Sequence, residues 1–264
     1  MHYYRVTIAY KGTRYFGWQA QAIDTSLEAK PTVEGTLLKV LKKIADHQPC
    51  TISGASRTDA GVHAQGQIAK LILPIPIKPA HLLLGLNTAL PPDIRILDCV
   101  PSTKAYQPTQ TGISKEYHYY FSATAVENVA ISDIAVNLPF DCADPEVLAL
   151  LKSACQLFVG QHDFYSFSSR DKGIATSFRN VFYCDIERGN FSPLVDNLFY
   201  LKVVGDGFLK YMVRYMMGAL IDLAAGRITL ADIDRYLQHH QEQKLSPRAY
   251  AKGLHLINIE EAPG

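Results

Sequence analysis

The sequence predicts an α+β protein built from two βαββαβ-like halves (split βαβ, ferredoxin-like) whose antiparallel sheets join around a central cleft. Three observations carry this expectation. Short β-branched and aromatic runs alternate with apolar residues at helical spacing; their order, strand-helix-strand-strand-helix-strand, is written twice; and no Pro/Gly/Ser-rich linker parts the two copies. The chain has 264 residues, enough for two domains of roughly 100 to 150 residues. The halves are expected at 1–104 and 105–264. Their sequences show no mutual identity, so the duplication rests on element order alone.

Residues 3–10 (YYRVTIAY) read as a strand that Lys11-Gly12-Thr13 breaks. After a loop of aromatics and glutamines, Thr32 is an N-cap, and Val33, Leu37, Val40, Leu41 and Ile44 recur at helical spacing with Lys39, Lys42 and Lys43 mostly off that stripe. Strands follow at 50–55 and 64–73, then a short helix at 79–88 and a strand at 94–100. The second copy opens with a strand at 114–123. Asp144 caps a helix with Pro145 at its first position, running to about Phe158. Strands at 179–187 and 198–204 precede an apolar helix from about Gly207 to Ala225, ended by Gly226. Thr229 and Asp232, spaced as a capping box, open a further helix, and 253–260 is the last strand.

Composition narrows the function. A hydrophobic fraction of 48%, 19% charge, and Gly and Pro in no repetitive tract fit a globular protein and exclude collagenous or low-complexity chains. No apolar stretch reaches the roughly 18 residues of a bilayer span, and the start MHYYRVTIAY lacks the layout of a signal peptide, so a cytoplasmic protein without membrane contact is expected. Cys50, Cys99, Cys142, Cys155 and Cys184 are scattered, odd in number and in no CxxC pair, which suits reduced packing residues rather than disulfides or zinc. The net charge of +1 argues against indiscriminate polyanion coating. Residues 1–132 carry 13 basic and 9 acidic residues (+4), the remainder 13 and 16 (−3), which mildly favours an anionic partner on the first half.

The chemistry concentrates in Ser56-Arg57-Thr58-Asp59-Ala60-Gly61-Val62-His63-Ala64, between two strands, where Gly61 lets the loop turn after a carboxylate. Read alone, Thr-Asp-Ala-Gly is a turn. The loop does not stand alone, however. Tyr10-Lys11-Gly12 through Tyr15-Phe16-Gly17-Trp18-Gln19-Ala20-Gln21, Arg57 to His63, Leu86-Asn87 with Leu90-Pro91, Lys115-Glu116-Tyr117-His118-Tyr119, Gly160-Gln161-His162-Asp163-Phe164, Phe208 to Arg214 and Ala251-Lys252-Gly253-Leu254 follow one another in order. In these stretches, spread over nearly all of the chain, the sequence resembles the tRNA pseudouridine synthase A family, the bacterial enzymes that act on the anticodon stem-loop.

The resemblance implies that Asp59 is the catalytic carboxylate of a uridine isomerase. It assists cleavage of the C1′–N1 bond, and the base turns and rejoins through C5 at nucleotides 38 to 40 of tRNA. It further implies Arg214 as the cation paired with Asp59, Tyr117 as the aromatic against a flipped-out base, a homodimer, and no cofactor or metal. The last agrees with the absence of zinc-type spacing and of a GxxxxGK[ST] loop. An ionised Asp59 needs a neighbouring cation, and Arg57 is a second candidate; it can support the carboxylate or contact a phosphate. His63 reads as an isolated structural histidine with no evident partner, Trp18 as a packing anchor and Tyr119 as a packed strand residue. Gln19 and Gln21 are open to RNA contact.

Lys11, Arg14, Lys39, Lys42, Lys43, Lys210, Lys244, Arg248 and Lys252 are possible RNA-backbone residues, each alone a solvated surface charge. Two positions depart from the family pattern: Thr109 stands where an RNA-contacting arginine is expected, and Tyr250 where proline is frequent. Thr109 motivates a rival expectation, a non-catalytic RNA-binding or RNA-folding module with the same cleft. A metal-dependent nuclease would need clustered carboxylates or histidines, which the spacing lacks.

Overall fold

Tyr4, Val6, Ile8 and Tyr10 alternate with more exposed residues, and that period of two makes His2–Tyr10 (β1) a half-buried strand. The computed structural model describes residues 1–19, 31–124, 126–169, 176–189, 195 and 197–262. They form two compact units, Met1–Ile113 with Leu256–Gly264, and Ser114–His255.

In the first unit β1 is followed by Val33–Ile44 (α1), Thr51–Gly54 (β2), His63–Leu73 (β3), Pro79–Ala89 (α2), Ile94–Pro101 (β4) and the one-turn helix Pro108–Thr111 (α3). β1 lies between β4 and β3, antiparallel to both, and β2 pairs antiparallel with β3. Thr32 caps α1 by accepting the Gly35 N–H at 3.1 Å, and Val33, Leu37, Val40 and Leu41 are buried, leaving Lys39, Lys42 and Lys43 exposed. Asn87 of α2 exchanges two 2.8 Å hydrogen bonds with the backbone of Ile96, tying that helix to β4.

The second unit contains all but the first two residues of Gly112–Ser122 (β5), then Val136–Asn137 (β6), Pro145–Leu157 (α4), Gly160–Asp163 (β7), Phe178–Arg188 (β8), Leu198–Gly205 (β9), Met212–Ala224 (α5) and Leu230–Gln238 (α6). Its strands run β5-β9-β8-β7, each pair antiparallel, with β6 parallel to β5. Asp144 caps α4 as expected, and the Thr229–Asp232 capping box of α6 is complete. α5 begins at Met212 rather than near Gly207, because Tyr211 takes a left-handed conformation (φ 66°) that no helix interior accommodates. β6, β7 and α3 were not expected from the sequence.

The last strand, Leu254–Glu261 (β10), returns to the first unit, where it lies next to β3. A side chain at Gly66 would strike the Ile257 carbonyl, so glycine permits this approach. The first unit therefore runs past the break after 104 suggested by element order, and it regains the end of the chain. Two groups hold the crossover to it. Lys70 Nζ, buried, donates to the carbonyls of Lys104 and Tyr106 at 2.8 and 2.7 Å. Glu261 accepts from Tyr106 at 2.5 Å, Thr111 at 2.8 Å and Arg5 at 2.5 Å. Among the described residues no helix is long and apolar enough to cross a membrane.

Burial acts to raise the Glu261 pKa, but the hydrogen bonds from Tyr106, Arg5 and Thr111 outweigh it and leave the carboxyl below its ordinary value. A depressed carboxylate stabilises the fold above its unfolded pKa, about 4.3, and loses that contribution as pH falls through the folded value. Glu261→Gln should therefore cost about 2 kcal/mol at neutral pH. In urea titrations its gap to wild type should narrow below about pH 4.

Candidate functional site: the Asp59 turn and the Arg214 helix

The Asp59 turn is fixed through its backbone. β2 ends at Gly54, and the Ala55 N–H still donates to Ile68 at 2.8 Å. Ser56 is then gripped at both backbone groups by one buried side chain, since Gln67 Oε1 accepts its N–H at 3.2 Å and Gln67 Nε2 donates to its carbonyl at 2.6 Å. Thr58 meets the Tyr10 hydroxyl at 2.7 Å, and its carbonyl accepts from the Trp18 N–H at 3.1 Å. Beyond Asp59, the Val62 N–H closes the turn onto the Asp59 carbonyl at 3.1 Å, and the Gly61 N–H (φ 80°) donates to Tyr15 at 3.2 Å.

Residues 11–19 lie directly against this turn, and two glycines make that possible. A side chain at Gly17 (φ 85°) would sit 2.6 Å from the Thr58 carbonyl, and one at Gly12 would overlap the Val62 carbonyl. Gly12 also donates its N–H to His63 Nδ1 at 3.2 Å, so His63, 1% exposed, has a partner that its sequence context concealed. That nitrogen is an acceptor and carries no proton. Trp18 is buried as expected, with its indole over Gly54 and 6.0 Å from the Tyr10 ring. Asp59 itself remains half-buried, and Arg57 is exposed. Burial raises the pKa of Glu34, and the Arg57 charge acts against that shift. Gln19 is exposed; Gln21 lies outside the described residues.

In the second unit Arg214 sits on the first turn of α5, only 8% exposed. A reciprocal pair of hydrogen bonds locks it to residues 247–250: Arg214 Nε donates to the Ala249 carbonyl at 2.8 Å, and the Ala249 N–H donates to the Arg214 carbonyl at 3.0 Å. Gly218, one turn on, lets the Pro247 carbonyl approach where any side chain would collide. Tyr119 is fully buried and donates its hydroxyl to Tyr250 O at 2.9 Å; burial pushes its pKa up, with Arg214 acting against the shift. Tyr250 is 74% exposed, so its own side chain stays outside this packing. Tyr117, 6% exposed, meets Phe208 edge-on at 5.3 Å. Burial, with Arg179 nearby, lowers the Lys115 pKa.

The basic residues separate by what they touch. Arg14 pairs with Asp93, its Nε at 2.8 Å, and Tyr15 donates to the same carboxylate; burial and Asp93 push the Tyr15 pKa up to about 12. Lys252 binds Glu127 at 2.8 Å and the Ser132 carbonyl at 2.9 Å, and Lys244 donates to Tyr165 O at 2.9 Å. Lys11, Lys39, Lys42, Lys43 and Arg248 are exposed, and Lys210 is half-buried. Thr109 is exposed on α3, after the buried Pro108.

Residues 6–107 and 154–260 match the family model described as tRNA pseudouridine synthase. The chain belongs to this family. Among its relatives, tRNA pseudouridine synthase A 2 of Desulfotalea psychrophila is 69% identical over 98% of this chain and 99% of its own length. tRNA pseudouridine synthase A 1 of Protochlamydia amoebophila is 34% identical over 98% and 96%. Among solved structures, one from a Cbf5-Nop10-Gar1 complex aligns with 81% of this chain at 10% identity and a TM-score of 0.31. The alignment spans about half (53%) of that chain, and so slight a likeness carries no argument.

Family membership came from the motifs. The contacts that fix the turn did not: Gln67 lies in none of the matching stretches, and Tyr10, Gly12 and Gly17, though inside them, act on the turn through contacts that leave no periodic trace. Gln67→Leu keeps the bulk but strands two buried backbone groups of Ser56. It should lower unfolding free energy by roughly 2–4 kcal/mol in urea titrations, at about 1–3 kcal/mol per unsatisfied group less relaxation.

Proposed function

We propose that the protein converts uridine to pseudouridine in the anticodon stem-loop of tRNA, at nucleotides 38 to 40, with Asp59 as the catalytic carboxylate. The observation that carries this reading is a half-buried carboxylate on a turn whose backbone is fixed before and after it, in a chain of this family. Hydrogen bonds on both sides of the carboxylate hold the turn, and a held turn restricts where its oxygens can stand, which attack at, or charge stabilisation of, one ribose carbon requires.

In the reaction the C1′–N1 bond breaks and a C1′–C5 bond forms. The C5 proton leaves to solvent and N1 takes up a proton, so the product is an isomer and needs no co-reactant. Asp59 acts ionised, and Arg214 is its cation. A buried guanidinium already turned by Ala249 suits a role that needs a fixed donor rather than a mobile one. Arg57 supports the turn's charge or meets a phosphate. The uridine must leave its stack, at a cost of a few kcal/mol, and Tyr117 offers it an aromatic face. This reading requires that the sheets of the two units, each a split βαβ, ferredoxin-like half, join around a central cleft bringing Asp59, Tyr117 and Arg214 together. Lys11, Arg14, Lys39, Lys42, Lys43, Lys210, Arg248 and Lys252 are the RNA-backbone residues of this reading, and the protein works in the cytoplasm as a homodimer.

With tRNA carrying tritium at uridine C5, the wild type should release label, and Asp59→Ala should release none while retaining tRNA binding. No release by the wild type on any tRNA would sink the catalytic reading and, with Asp59→Ala then binding tRNA as the wild type does, would favour the non-catalytic RNA-binding module; release by Asp59→Ala at the wild-type rate would sink the role of Asp59. Light scattering should give twice the chain mass, and a monomer at working concentration would contradict the dimer.

A further inference from the structure

Three cations crowd one aromatic ring at the start of α5. The Arg248 guanidinium carbon lies 3.8 Å from the Tyr211 ring centroid, that of Arg214 5.3 Å and Lys210 Nζ 5.4 Å. Among the described residues no carboxylate pairs with Lys210 or Arg248. Other basic residues differ: Lys252 pairs with Glu127, Lys244 donates to the Tyr165 carbonyl and Arg14 pairs with Asp93. Like charges around one ring repel, and one of them, Arg214, is buried, where solvent screens it little. The arrangement is nevertheless built in. Tyr211 holds a left-handed backbone (φ 66°), a conformation costly for a bulky residue. Residues 247–250 are fastened to α5 by the Arg214–Ala249 pair, which sets Arg248 over the ring. Tyr211 also gives the first turn of α5 no side-chain cap, so the positive end of the helix adds to the same field.

We infer that Lys210, Tyr211 and Arg248 form a phosphate-binding site that takes one phosphodiester group of the RNA substrate, one helical turn from Arg214. An anion there converts the mutual repulsion of the cations into attraction. Tyr211 supplies the flat face that holds the Arg248 fork edge-outward toward the ligand. Because Arg214 shares the ring, a phosphate bound there also registers the RNA strand relative to the arginine proposed to act on Asp59. The inference rests on the reading that the protein binds tRNA, and it assigns one phosphate contact within that reading.

The test is binding of fluorescently labelled tRNA by anisotropy across a salt series, with label release measured in parallel. Arg248→Ala should weaken binding roughly tenfold at moderate salt. It should also flatten the log K against log salt slope by about 0.7 to 0.9, the signature of one lost phosphate contact. The loss in label release should fall on KM rather than kcat. Lys210→Ala should act in the same direction, Tyr211→Leu should reproduce Arg248→Ala, and Tyr211→Phe should retain the wild-type slope. An unchanged slope in Arg248→Ala overturns the inference. If the wild type itself neither binds tRNA nor releases label, the functional reading fails first and takes this inference with it.

Discussion

The site depends on one constraint: the backbone of residues 11–19 and the backbone of the Asp59 turn lie at contact distance. Glycine at 12 and 17 removes the atoms that would hold them apart, and the Trp18–Thr58, Gly61–Tyr15 and Gly12–His63 hydrogen bonds use the resulting proximity. Gln67 and Tyr10 complete the grip from the sheet side. Backbone and side-chain contacts thus hold the turn on both sides of Asp59.

The second unit uses the same principle on a cation. Arg214 would be costly in an apolar helix without fixed partners, and the reciprocal bonds with Ala249 give it direction while Gly218 admits the strap that supplies them. Two residues after Asp59, Gly61 takes a left-handed backbone (φ 80°) without strain, and three residues before Arg214, Tyr211 takes one (φ 66°) at a cost. Strain of this kind persists only where surrounding contacts over-determine it.

What the sequence made legible follows from burial. β1, α1, α4 and α6 each bury one face and carry a capping or breaking residue, so apolar period and caps marked them closely. β7 escaped because Gly-Gln-His-Asp has no apolar alternation, and it is a strand only because β8 pairs with it. The start of α5 was placed early because Phe208 and Leu209 continue the apolar pattern, while the left-handed Tyr211 that stops it is not a residue type that announces such a turn. The proposed roles of Asp59, Tyr117 and Arg214 rest on the ordered motifs. Gln67, the His63 partner and the Tyr211–Arg248 stack join residues far apart in the chain, and pairwise contacts of that kind leave no signal in one sequence.

The central claim is that Asp59 works as a carboxylate held ionised by Arg214, and carboxyl-resolved NMR titration of Asp59 tests it most directly. On that proposal a guanidinium stands at its side and favours the charged form, so the wild-type pKa should lie below the ordinary aspartate value of about 3.9, and Arg214→Gln should raise it by about one unit or more. A titration that Arg214→Gln leaves where it was, in a variant that still folds, would contradict the account.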